Sequence, residues 1–232
     1  MDLEATVTHD VNDMARYWGL RKFQYLDAAS MEFDLLVEPM PADDDRAPTL
    51  DEILAINKAF TEWVLFERPF GNGETALQRY LAHPPRSATH EAIGRLQQVE
   101  RTQFFSRFAI RGKDPKANTS VLEDVQTAER YEVLDSVIAR RSEWSQGSVG
   151  VRIAQAEGQW LTVGLLRLYD RALPQQTSQD GPGFVHAEDE GLWPDTSQLS
   201  FYLRLLRDVM GRYGRYRPSL RVRSDELERL PA

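Results

Sequence analysis

Apolar residues fall at helical spacing over the first part of the chain. Val11, Met14, Trp18, Tyr25, Ala29, Phe33 and Leu36 recur three, four and seven apart, which predicts helix from about residue 10 to 37, interrupted near Gly19. The stretch PMPADDDRAP at 39–48 ends it. Thr49 and Glu52 then form a capping-box pair ahead of Ile53, Ile56, Phe60 and Trp63, giving a second helix to about Phe66 that Pro69 stops. A further helix, from about Ser87 to Glu100, places Ile93, Leu96 and Val99 on one face.

Between these helices lies FGNGETALQRYL (70–81), in which Gly71, Gly73 and Ala76 spell the relaxed dinucleotide fingerprint. In a nucleotide fold such glycines follow a buried strand and deliver the pyrophosphate to the next helix. Here they follow a helix, and the lysine of a phosphate loop is missing. Thr75 and Gln78 make a capping box, so the glycines read as a helix–helix turn and Thr75 as the start of a helix.

The period changes after residue 100. FFSRFAIR (104–111), SVLEDV (120–125), RYEVLDSVIA (130–139), VGVRIA (149–154) and QWLTVGLLRL (159–168) read as strands, and their density suggests a small curled sheet or barrel. A segment rich in Pro, Gly and Gln follows, and then Leu199, Tyr202, Leu203, Leu206, Val209 and Met210 mark an amphipathic helix ending near Gly211 or Gly214. The expected fold class is therefore α+β. It comprises a helical region over 1–100, a small antiparallel β module over 101–170, a long loop over 171–196, and a C-terminal helix with a basic tail over 197–232.

Composition removes several chemistries. The 232 residues include no cysteine, which excludes disulfides, thiol catalysis, iron–sulfur clusters and the usual structural zinc sites. The acidic amino terminus has no basic region followed by an apolar run, and no apolar stretch is long enough to span a bilayer, so a cytoplasmic protein without a membrane partner is expected. Charge is unevenly placed. Residues 1–60 hold 13 acidic and 5 basic side chains, while residues 201–223 hold seven arginines and one aspartate. The net charge of −8 opposes a protein whose whole surface coats nucleic acid.

The motifs that could carry chemistry are incomplete. His90-Glu91-Ala92-Ile93-Gly94 begins like a zinc-protease helix, but glycine stands where the second histidine is required. Gln146-Gly147-Ser148-Val149-Gly150 has Gln where a nucleophile elbow needs Gly. Asp43-Asp44-Asp45, and His186 with Glu188, Asp189 and Glu190, offer hard ligands without the spacing of a known loop, and read as solvated surface. Glu123, Asp124, Glu129 and Glu132 lie across a hairpin, where charged outer faces are routine. No catalytic residue, metal ligand or cofactor is assigned.

The carboxy-terminal segment differs in kind. Arg207 in the last helix, then Arg212, Arg215, Tyr216, Arg217, Arg221 and Arg223, interleave guanidinium and aromatic groups suited to phosphates and bases, or to an acidic protein surface. These seven are the expected partner or nucleic-acid surface.

The strings E-W-x-L-F (62–66), G-x-T-x-L-x-x-Y-L (73–81), L-x-D-x-x-T-x-E-x-Y-x-V (122–133) and G-x-W-L-x-x-G (158–164) resemble a pattern of uncharacterised bacterial proteins, some of which carry a cysteine-rich SEC-C zinc motif. That motif is absent here. The chain also departs from the pattern at Thr127-Ala128-Glu129, where T-G-E is expected. If that turn needs a positive φ, alanine costs about 1 kcal/mol that glycine would not. The resemblance implies a layout without a function.

The leading expectation is a non-enzymatic interaction or regulatory protein that binds a protein partner or itself. The alternative is a nucleic-acid-associated protein using the β module and the Arg/Tyr tail. A second alternative is a carboxylate- or metal-dependent hydrolase.

Overall fold

Capping side chains set where the helices start. In a computed structural model, which describes residues 2–41, 47–144, 146–171 and 181–216, the first helical stretch divides into α1 (Leu3–Gly19), a 3-10 turn at Lys22–Gln24, and α2 (Leu26–Val37). Helix α2 stops at Glu38, which takes left-handed backbone with φ 47°. The expected capping box opens α3 (Leu50–Phe66): Glu52 N–H donates to Thr49 Oγ1 at 3.3 Å, and Thr49 N–H donates to Glu52 Oε2 at 2.7 Å. Thr75 and Gln78 repeat this device at α4 (Ala76–Ala82). Gly73, with φ 84°, belongs to the turn before it. Helix α5 (His90–Thr102) starts at Thr89, whose hydroxyl accepts from Ala92 N–H.

Six strands follow, with two corrections to the expected pattern. They are β1 (Phe104–Asp114), β2 (Thr119–Asp124), β3 (Arg130–Leu134), β4 (Ser148–Ala156), β5 (Gln159–Thr162) and β6 (Leu168–Asp170). The run 130–139 leaves the sheet at Leu134 because Asp135 Oδ1 accepts Ile138 N–H at 2.8 Å, capping the short helix α6 (Ser136–Arg140). The run 159–168 is cut in two because Leu165 and Leu166 turn their N–H groups toward Glu62 Oε2, at 2.7 and 3.1 Å. Helix α7 (Phe201–Met210) closes the described chain, capped by Ser200.

The strands run in the order β1-β2-β3-β5-β4, and β1 also pairs with β4, so five strands close into a barrel with β6 added beside β4. Every pairing is antiparallel except β3 with β5. Phe108, Ile110, Leu122, Val133, Val149, Val151 and Ile153 fill the interior, joined by Ile138 of α6 and by Trp144. Phe104, Tyr131 and Trp160 pack together, with ring centroids 4.9 to 6.1 Å apart.

Helices cover the other face of β4 and the start of β1. Val7, Val11 and Trp18 of α1, Leu77 of α4 and Leu96 of α5 pack on Ala154, Ala156 and Leu161. Phe33 of α2, Trp63 of α3 and Tyr202 of α7 pack on Phe105. The sequence segments 1–100 and 101–170 therefore share their apolar cores, each large buried side chain contributing about 1.5–3 kcal/mol. Gly150 permits the close approach of α7, since a Cβ there would lie 2.8 Å from Leu205 Cδ2.

The α+β class with its barrel and C-terminal helix is as the sequence indicated. Ala128, where the chain departs from T-G-E, does take positive φ, at 61°. In the expected long loop, residues 172–180 lie outside the described residues, as do Asp43, Asp44 and Asp45; residues 181–198 include 3-10 turns at Ala187–Asp189 and Thr196–Gln198. Among the described residues no helix is long and apolar enough to cross a membrane.

Candidate functional site

Helix α2 has two apolar sides. Ala29, Phe33 and Val37 face the core, with Leu36 packed against the same cluster. Met31 and Leu35, four residues apart and so neighbours on the helix surface, point the other way and are 75% and 49% exposed. Asp27 stands one turn before Met31, and Asp34 and Glu38 follow at the carboxyl end. Asp27 suits the positive end of the helix dipole, but Asp34 and Glu38 oppose the negative end, so helix stability does not account for them. The carboxylates of Asp27 and Asp34 have no hydrogen-bond or ion-pair partner among the described residues.

An open groove of about 440 Å³ continues this face, lined by Asp34, Glu38, Pro39, Met40 and Arg212. Backbone pairing builds it. Met40 N–H donates to Met210 O at 2.8 Å and Arg212 N–H to Glu38 O at 2.9 Å, which lays the segment after α2 against the segment after α7. Arg212 Nε stands 3.6 Å from Glu38 Oε2. Leu20 and Phe23 in the α1–α2 turn and Leu50 and Ile53 at the start of α3 are also exposed, Ile53 despite its place in the expected core stripe. Among the described residues, six of the nine large apolar side chains that are exposed thus fall within residues 20–53, which makes this stretch of the chain the candidate contact surface.

The barrel offers a second surface. On the outer side of β1, β2 and β3, Glu123 is held between two guanidinium groups: Arg111 Nε and Nη2 donate to Oε1 at 3.1 and 2.7 Å, and Arg130 Nε donates to Oε2 at 2.7 Å. These hydrogen bonds hold the Glu123 carboxyl below its usual range. The other carboxylates of the hairpin have separate partners. Asp124 Oδ1 accepts from Ser106 Oγ at 3.0 Å and from Gln126 N–H at 2.7 Å. Tyr131 donates its hydroxyl to Glu129 Oε2 at 2.6 Å, and burial together with that carboxylate pushes the phenol up to about 12. Glu132 remains exposed. No two of the four are placed to share a proton.

The expected tail residues scatter. Arg207 donates Nη1 to Pro194 O at 3.0 Å and to Thr196 Oγ1 at 3.1 Å, and Nη2 to Trp193 O at 3.0 Å. Arg215 pairs with Asp189 and stands 3.9 Å from both Glu188 and Asp208. Tyr216 donates its N–H to Asp208 O at 3.0 Å and packs against the core. Of the expected tail residues that are described, Arg212 is the one that reaches the acidic end of α2. Arg217, Arg221 and Arg223 lie outside the described residues. The His186 cluster is bonded within itself, since His186 N–H donates to Asp189 Oδ2 at 2.7 Å. Ser148 is buried in β4, and His90 is exposed at the start of α5. Among the described residues no group of three or more His, Cys, Asp or Glu is arranged to hold a metal ion.

Sequence reasoning missed an ion network centred on a fully buried pair. Arg152 of β4 donates Nε to Glu62 Oε1 of α3 at 3.1 Å, Nη2 to Glu67, and Nη1 to Gln103. Its guanidinium lies 5.1 to 5.7 Å from the ring centroids of Phe66, Tyr202 and Phe105. Burial pushes the Glu62 carboxyl up, against the pull of Arg152 and of the Leu165 and Leu166 N–H groups. The network fastens the helical half to the barrel. Its signal was a lone Glu within FTEWVLF and a lone Arg within VGVRIA, charges inside otherwise apolar runs. Met31 and Leu35 had a signal as well, being apolar residues off the core stripe of their own helix. No family model, curated protein or solved structure matches this chain.

Proposed function

We propose that the chain is a non-enzymatic interaction or regulatory protein whose contact surface is the outer side of its first helices. The observation that supports this reading is the pair Met31 and Leu35, exposed beside the carboxylates of Asp27 and Asp34, which have no partner among the described residues. A cluster of large apolar side chains in water is the usual mark of a contact site. Methionine suits it, because its flexible thioether adapts to varied partner shapes. The cysteine-free composition fits a bacterial cytoplasm.

Photo-reactive side chains placed at Met31 and Leu35, and at the barrel residue Glu132 as a control, test this in the producing cell. Discrete protein cross-links from positions 31 and 35 that are absent from 132 are expected. Equal cross-linking from all three positions, or none, would remove the reading.

One observation favours a nucleic-acid reading. Five-stranded Greek-key barrels that bind oligonucleotides present strands 2 and 3 to their ligands, and here β3 carries Arg130 and Glu132 exposed on the outer side, beside β2. Against it, Glu123 neutralises part of the Arg111–Arg130 charge, and that outer side lacks aromatic rings for stacking bases. Fluorescence anisotropy with a single-stranded oligonucleotide over a salt series separates the two. Salt-dependent binding that Arg130→Ala weakens would move the assignment to nucleic acid.

A further inference from the structure

The polar side chains on the outer face of α2 constrain the chemistry of whatever covers it. Asp27, Met31, Asp34 and Glu38 follow one another at steps of four, three and four residues, so they form one ridge about 16 Å long over three turns, with the exposed Leu35 beside it. Helix α2 holds no lysine or arginine that could offset these carboxylates.

Arg212 shows what the ridge accepts. Its Nε stands 3.6 Å from Glu38 Oε2 across the groove, with both side chains about half exposed, so one guanidinium already lodges at the carboxyl end. A pair so open to water contributes little to stability. Asp27 and Asp34 are left without a cation among the described residues.

Charge narrows the choice of occupant. Nucleic acid and anionic membrane are repelled by three carboxylates in a row on a chain of net charge −8. A two-fold contact of this face with itself would set the same carboxylates against one another. A purely apolar partner would cover Met31 and Leu35 but strip water from Asp27 and Asp34 without replacing it.

We propose, resting on the reading of this face as the contact surface, that α2 docks a basic amphipathic helix of another protein. The partner's apolar side chains cover Met31 and Leu35, and its lysines or arginines meet Asp27 and Asp34. A ridge of three turns suits a helix, which presents its own side chains at the same three- and four-residue spacing. A cation at Asp34 also relieves the opposition between that carboxylate and the negative end of the α2 dipole.

The photo-cross-links from positions 31 and 35 test this when the attached peptide is sequenced by mass spectrometry. They are compared in the full-length chain and in two variants with equal change in net charge: Asp27→Asn/Asp34→Asn on the ridge, and Glu132→Gln/Glu190→Gln on the barrel and in the loop after β6. All four positions are exposed, and unfolding midpoints matching wild type verify that both variants fold. The expected peptide comes from another protein and carries lysine or arginine and apolar residues at helical spacing. Its yield should fall several-fold in the ridge variant and hold in the other. A peptide without basic residues, a peptide from this chain or a second copy of it, a yield the ridge variant leaves unchanged, or an equal fall in both variants would each overturn the proposal. A non-basic peptide from another protein would leave the contact surface standing with a partner of different chemistry, whereas no cross-link at all would remove both.

Discussion

Arg152 and Glu62, ninety residues apart in sequence, meet at 3.1 Å where their side chains are 2% and 0% exposed. Removing water from both ions is costly, and the pair persists because Glu67, Gln103 and two backbone N–H groups satisfy what the two leave over. Breaking one side should therefore cost far more than replacing both. Glu62→Ala is expected to lose about 3–5 kcal/mol in urea unfolding. Glu62→Leu combined with Arg152→Met should recover a large part of that loss. A double variant as unstable as the two single changes added together would show that the ions act independently.

Gly164 lies against the same network. A Cβ at this position would stand 2.8 and 2.9 Å from the two Glu62 carboxylate oxygens and 3.0 Å from Arg152 Cβ. Gly164→Ala should destabilise the chain by about 1–3 kcal/mol through forced repacking. In the Glu62→Leu/Arg152→Met background the loss should differ, because residues in contact do not behave additively. Equal losses in both backgrounds would place the clash elsewhere.

Ala128 predicts a gain. It holds φ 61° in the turn from β2 to β3, a conformation that costs an L-residue about 1 kcal/mol and glycine almost nothing. Ala128→Gly should raise the urea midpoint, with a gain of about 0.5–1 kcal/mol, less whatever glycine adds to the freedom of the unfolded chain. A lowered midpoint would mean that the methyl group makes contacts that outweigh the strain.

Glu123 predicts an acid limb. Arg111 and Arg130 hold its folded pKa below the ordinary 4.5, so folding favours the ionised form. The stability this adds is present above that ordinary value and is lost as pH falls through the lowered one. Wild type should exceed Glu123→Gln in stability at pH 6, and the difference should shrink steadily below pH 4.5. A difference independent of pH would remove charge from the account.

Much of this architecture was legible because its signals are local. Thr49 with Glu52 and Thr75 with Gln78 announce helix starts within four residues, and alternation announced the strands. The errors arose where distant residues decide. Asp135 looked like one more position in a strand, yet its side chain caps α6 while also accepting from Thr162 and Arg167. The run 159–168 looked continuous, and Glu62, more than one hundred residues before Leu165 and Leu166, draws their backbone out of the sheet. The candidate site was hidden for another reason. Periodicity identifies the side of α2 that meets the core, but whether Met31 and Leu35 are covered by something else depends on every other element. The arginines of the tail were visible as chemistry, and their division among Glu38, Asp189 and the Trp193–Thr196 loop followed only from the fold.

The closure of β1 onto β4 has a consequence for how this protein can be recognised. Among the described residues β6, three residues long, is the one strand paired on a single side, and the ring leaves only short stretches, such as Arg130–Glu132 of β3 and the end of β1, for a foreign strand to extend. Partners must then read side chains. Such recognition can be retuned by single substitutions and by ionic strength, and it leaves the molecule little prone to edge-to-edge aggregation.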